Sequence, residues 1–214
     1  MNTAELTEIE QNAETIVRGI GDEAVDVYRF LAHEFQKGSV AGNHVFQFLY
    51  RSFYRLDNAG LTPQFKSRYF TLLDECRASP SISLEHLTRE LHNFANLKGQ
   101  RSLQFSFVTK LVNTANGEYP IYDAEVARVF GFRTPYNYKP FESRLREYMT
   151  FYASLRKLYG GILRENQLDR ARALFHKIYN TNPQMVPEVK VLDFIFWSAG
   201  KLSREADEIS RAED

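Results

Sequence analysis

Apolar residues in this chain recur at helical spacing almost from end to end, and no stretch alternates apolar with polar as a half-buried strand does. That periodicity constrains the fold more than any other feature. The runs are also punctuated. Asp22 stands ahead of Val25, Tyr28, Leu31, Ala32 and Phe35, and Gly38 follows them. Asn43 precedes Val45, Phe48, Leu49, Ser52, Phe53 and Leu56, expected on one inward face, and Gly60 stops that run. Thr62-Pro63 couples an N-cap to a proline at the first helical position, where a missing N–H costs nothing. Ser83 opens LEHLTRELHNFA, and Ser102 is expected to cap LQFSFVTKLVNTAN as far as Gly117.

The remaining segments follow the same logic. Residues 3–18, TAELTEIEQNAETIVR, are expected as one weakly amphipathic helix with an acidic start. AEVARVFGF is a short helix, and RTPYNYKP is a loop by its two prolines and its asparagine. Residues 141–159 form a strong helix that Gly160-Gly161 should end. Residues 167–179 form another, and Pro187 opens PEVKVLDFIFWSAG. The expected fold is all-α, with about nine or ten helices. It is either one domain over residues 1–200 or two closely packed helical lobes split near 97–101, followed by a charged tail at 201–214 that either frays or forms an exposed helix.

Composition narrows the function. Of 214 residues, 43% are hydrophobic, and 17 Phe with 12 Tyr supply an ample core. Basic and acidic residues number 27 each, so the strongly basic field of a nonspecific nucleic-acid binder is missing and any such contact must be a local patch. Cys76 is the one cysteine, which rules out an intramolecular disulfide and a cysteine metal site and fits a reducing compartment. The five histidines show no His-x-x-x-His spacing and no acidic ligand box. There is no glycine-rich phosphate loop and no Gly-x-Ser-x-Gly elbow. MNTAELTEIEQNAETIV lacks the basic and apolar regions of a signal peptide, and no apolar run approaches the ~18 residues of a membrane helix. A cytoplasmic protein with no cofactor, no metal and no membrane partner is expected.

Chemistry concentrates in residues 102–126. At ~100° per residue, Leu103, Phe107, Val108, Leu111, Val112 and Ala115 fall on one side of a helix. The opposite strip is Ser106, Thr109, Lys110, Asn113 and Thr114, polar but with one charge. Such a strip either lines a cleft or meets solvent and neighbouring helices through hydrogen bonds. Pro120, Ile121 and Tyr122 read as extended, and Asp123 is a good N-cap for the next helix. Its second oxygen is available to face a cleft. If the two helices pack as a corner, Lys110 and Asp123 approach. Proximity then favours the charged lysine, and desolvation favours the neutral, nucleophilic amine.

SFVTKLVNTANGEYPIYDAEV, with the later KVLDFIFWSAG, resembles bacterial proteins related to the 8-oxoguanine DNA glycosylases of the helix–hairpin–helix glycosylase superfamily. The resemblance covers about a quarter of the chain and implies a two-lobed all-α fold. It implies that Lys110 attacks sugar C1′ as a neutral amine and forms a Schiff base. The assisting aspartate, followed by two residues and a valine, is then Asp123 of Asp123-Ala-Glu-Val126. Two features depart from the pattern. GQRSLQFSF at 99–107 carries one glycine where the superfamily has its phosphate-binding hairpin glycines, and the lysine–aspartate spacing of 13 is short. Ser106, Asn113 and Tyr122 are candidate substrate contacts. Lys98 and Arg101, and Arg133 and Lys139 beside Tyr136 and Tyr138, are the candidate DNA contacts, joining cations to aromatics. The expected partner is damaged duplex DNA. The alternatives are a non-catalytic helical module for a protein partner, which zero net charge and the missing hairpin glycines favour, and an enzyme that uses Lys110 on another small substrate.

Overall fold

A computed structural model describes residues 3–79 and 81–213. The chain is all-α. Its helices are α1 (Thr3–Gln11), α2 (Ala13–Arg18), α3 (Asp22–Lys37), α4 (His44–Phe53), α5 (Pro63–Ala78), α6 (Leu84–His92), α7 (Phe105–Ala115), α8 (Ala124–Val129), α9 (Phe141–Arg164), α10 (Asp169–Ile178) and α11 (Glu188–Glu213). A 3-10 turn at Leu56–Ala59 follows α4. The described residues hold no strand, only an isolated bridge between Leu61 and Asn96. No helix among them is long and apolar enough to cross a membrane.

Among the described residues the helix count is one above the expected range because residues 3–18 are not continuous. Asn12 separates α1 from α2 at φ −94°, ψ 16°, and its side-chain amide donates to Glu8 O at 3.0 Å. Glu8 O also accepts the Asn12 N–H at 3.0 Å, so the side-chain bond is added to the last helical bond of α1 and does not replace it. One further expectation fails at glycine, and the charged tail takes the helical one of its two expected forms. Gly160-Gly161 does not end α9, which runs on to Arg164. The charged segment after residue 200 continues α11 to Glu213, where Arg204 bonds Glu208 one turn on and reaches Glu125 of α8 at 2.8 Å.

The chain divides into two compact units, and of the four boundaries two fall inside α3 and α9 and two in the segments on either side of α8. One unit comprises the chain up to Val25, Tyr122–Thr134, and Phe151 onward. α11 is its spine and packs on α2, α8 and α10. Val126, Tyr159, Ile162, Phe175, Leu192, Ile195 and Phe196 form the core. Within it lies Asp193, fully buried, which accepts the Tyr159 hydroxyl at 3.1 Å and has Lys190 Nζ at 4.0 Å.

The other unit comprises Asp26–Ile121 and Pro135–Thr150. α7 packs on α5 and α6, and Phe65, Tyr69, Phe70, Leu73, Leu91, Val108 and Leu111 fill the centre. The most buried face of α4 is not the one expected, although of that expected set Leu56 is buried and Leu49 and Phe53 are half-buried. Phe46 and Tyr50 are buried, while Val45 is 64% and Phe48 62% exposed. The helix also ends at Phe53, and Arg55 in the left-handed region (φ 58°) turns the chain into the 3-10 segment that Gly60 closes.

Candidate functional site

The helix that carries Lys110 begins late. Ser102 does not cap it. The Ser102 hydroxyl accepts from Gln104 Nε2 at 2.6 Å, its carbonyl faces His92 Nδ1 at 3.3 Å, and α7 starts at Phe105 without a side-chain cap. From there the polar strip is held close to the protein. None of Ser106, Thr109, Lys110, Asn113 and Thr114 is exposed. Thr109 Oγ1 donates to Ser106 O at 3.0 Å, and Thr114 Oγ1 to Lys110 O at 2.8 Å. Asn113 is buried, and its Nδ2 donates to Tyr119 O at 2.7 Å, which fixes the turn after α7. Its Oδ1 is buried without a hydrogen-bond partner.

Lys110 is half-buried and flanked by aromatic rings. Its Nζ lies 5.3 Å from the Phe107 centroid and 5.9 Å from that of Tyr54. Ring faces at this range attract a cation. Behind the helix runs a chain of hydroxyls that the sequence did not disclose. Tyr69 Oη donates to Phe107 O at 2.8 Å, Tyr50 Oη lies 2.9 Å from Tyr69 Oη, and Thr114 Oγ1 lies 3.2 Å from Tyr50. Burial pushes both phenols well above their ordinary range, so they stay neutral donors. The network ties α4 and α5 to the backbone of α7 on either side of Lys110.

Tyr122 and Asp123 belong to the other unit. Asp123 caps α8 as expected, with Oδ1 accepting from Glu125 N at 3.0 Å. Tyr122 is buried, with its ring edge-on to Phe132 and Phe151 and its hydroxyl 3.4 Å from Thr134 Oγ1. Arg133 is exposed in this unit, whereas Lys98, Arg101, Ser106, Lys110, Asn113 and Lys139 all lie in the unit built on α7.

Between α6 and α7 the chain makes a tight turn over Asn96–Gln100. Gly99 holds φ 74°, the left-handed region that a side chain disfavours. Asn96 closes the turn. Its Oδ1 accepts from the Lys98 and Gln100 amides at 2.9 and 3.0 Å, its carbonyl accepts Gly99 N–H at 2.9 Å, and its own N–H donates to Gln100 O at 2.8 Å. Leu97 N–H donates to Gly60 O at 2.8 Å. The amides of the turn are therefore spent internally. What its tip offers to an anion is side chain: Lys98, Gln100 and Arg101 are exposed.

The second basic–aromatic spot is a loop anchored at both ends. Pro135 is buried, Lys139 Nζ pairs with Glu147 at 2.8 Å, and Arg144 Nη1 donates to Asn137 Oδ1 at 3.4 Å. The first turn of α9 is fixed in turn by Phe141, whose ring stacks on His92 at 4.0 Å, and by Glu142, which takes two hydrogen bonds from Arg89. No group of three or more His, Cys, Asp or Glu among the described residues could hold a metal ion. No family model matches the chain, and neither a curated protein nor a solved structure matches it.

Proposed function

We propose that the protein binds damaged duplex DNA and acts on it as an N-glycosylase or abasic-site lyase, with Lys110 as the attacking amine. The observation that carries this is the α6–turn–α7 unit: two packed helices, a tight turn tipped by Lys98 and Arg101, and a half-buried lysine on the second helix. A turn between packed helices brings cations to a phosphate with little conformational freedom to lose. A lysine shielded from solvent can add to an aldehydic sugar carbon more readily than a hydrated one. Because Asn96 occupies the amides of the turn, the phosphate grip falls to the Lys98 and Arg101 side chains rather than to backbone N–H groups.

On an abasic site the Lys110 amine adds to C1′ of the ring-opened sugar, water leaves, and an iminium links enzyme to DNA. Borohydride reduces that iminium to a permanent amine. The test is trapping on a duplex with one abasic site, with wild type beside Lys110→Ala and Lys110→Arg. The expected result is a covalent adduct from wild type and none from either variant. A folded wild type that yields no adduct overturns lyase chemistry at this lysine. The aspartate's part, which the resemblance assigns to Asp123, is read separately from the rate of trapping in Asp123→Asn.

A further inference from the structure

Tyr136 and Tyr138 are 65% and 81% exposed, yet their rings are ordered on each other, with centroids 5.3 Å apart and planes 11° from parallel. Two large rings held in solvent gain nothing from burial, and the loop that carries them is braced rather than slack. Lys139 N–H donates to Tyr136 O at 3.1 Å, Asn137 is held by Arg144, and Lys139 by Glu147. The first turns of α9 add Arg144 and Arg146 to Lys139. Of the two carboxylates in the same stretch, Glu142 is already taken by Arg89.

We propose that Tyr136 and Tyr138 form a stacking platform for an unpaired nucleobase, so the nucleic acid recognised carries at least one base outside the double helix. This rests on the nucleic-acid reading above and narrows its substrate class. A base within a duplex has both faces covered by its neighbours. A ring can add to the outer face of the tyrosine pair only where a base is extruded, mismatched or at a single-stranded end. Each base–aromatic stack contributes about 1–3 kcal/mol and tolerates any base. Lys139, the cation of the loop, is paired with Glu147, so the contact rests on the open ring face more than on a phosphate grip. A protein partner would use the tyrosines differently, as anchors inserted into pockets, and a parallel pair of open ring faces suits a flat ligand better.

The test is fluorescence anisotropy of a labelled short oligothymidylate and of a blunt, fully paired duplex of equal length, with the full chain. Tyr136→Ala and Tyr138→Ala are each expected to weaken single-strand binding about tenfold. The double Phe variant should bind as wild type does, because the ring and not the hydroxyl stacks. Duplex binding should change little in any of them. Unchanged single-strand affinity in the double Ala variant overturns the platform, and abasic trapping by the same variant shows whether the lyase reading still stands. Equal losses on both oligonucleotides also overturn it, since the loop then grips backbone and not base. A wild type that binds neither overturns both proposals. Tyr variants with intact oligonucleotide binding but altered self-association would assign the loop to a protein interface. Both side chains are exposed, so thermal melts of the variants should match wild type.

Discussion

Asp74 shows how one carboxylate orders a loop. From α5 it accepts the Ser39 hydroxyl at 2.6 Å and the Val40 and Ala41 amides at 2.9 Å, with Arg77 at 3.2 Å. Burial pushes its carboxyl up, but these donors outweigh that and hold it below the ordinary carboxylate range. A group with a depressed folded-state pKa stabilises fully above its unfolded value and loses that stabilisation as pH falls through its folded value. Asp74→Asn should therefore cost about 1–3 kcal/mol at neutral pH. The difference from wild type should close below about pH 4. Urea titrations at a series of pH values check this, and a gap that persists unchanged into acid would show that the charge is irrelevant. Caps of this local kind are the most legible feature of the sequence. Asn43, Thr62, Ser83 and Asp123 all accept from an amide two or three residues on, a geometry that spacing alone specifies. The Tyr50–Tyr69–Thr114 hydroxyls are the opposite case: Tyr50 and Thr114 are 64 positions apart and meet only once α4, α5 and α7 have packed. Tyr69→Phe should cost about 1–2 kcal/mol, towards the lower end because the Phe107 carbonyl can keep a helical partner.

At the scale of elements, the contact between α8 and α11 turns on Gly200. A Cβ there would lie inside the van der Waals shell of the Glu125 carbonyl group, with the carbonyl carbon at 2.7 Å. Backbone cannot yield as the end of a side chain can. Gly200→Ala should destabilise by about 3 kcal/mol. Gly161, inside α9 with open space around its Cβ position, should behave in the opposite way. Gly161→Ala should stabilise by about 0.5–1 kcal/mol by restricting the unfolded chain. Thermal melts of the pair read both signs at once, and a stabilised Gly200→Ala would refute the close approach. Helices α9 and α4 show where periodicity stops being informative. A glycine pair reads as a helix end, yet α9 continues because buried Tyr159 and Ile162 lie on either side of it. In α4 two stripes are both helical: Val45, Phe48, Leu49, Ser52 and Phe53, and Phe46, Tyr50 and Tyr54. Packing selects the second, whose larger rings fill the core beside Phe70 and whose Tyr50 finds Tyr69 for its hydroxyl. No window of the sequence contains that competition.

For the whole molecule, 27 basic against 27 acidic residues leaves no long-range field to draw in a polyanion. Many cations are also committed: Arg68 to Glu75 and Glu90, Arg172 to Glu188, Arg204 to Glu125 and Glu208. DNA affinity, on the proposed function, therefore has to come from a few local contacts, and Lys98, Arg101, Arg133 and Lys139 are the candidates. Each neutralised phosphate contributes about 0.9 to the slope of log K against log salt, so four contacts bound that slope at about −3 to −4. Lys98→Ala and Arg101→Ala should each make it shallower by about 1, with similar losses on every duplex sequence. Lys139→Ala should do more, because removing it also releases Glu147, whose repulsion of the phosphate adds to the loss at low salt and is screened at high salt. Anisotropy titrations of a short duplex across a range of salt measure all three slopes. A wild-type slope much steeper than the four cations allow would place the interface elsewhere on the molecule. An unchanged slope in Lys98→Ala and Arg101→Ala together would remove the α6–α7 turn from it, and with the turn the observation on which the proposed function rests.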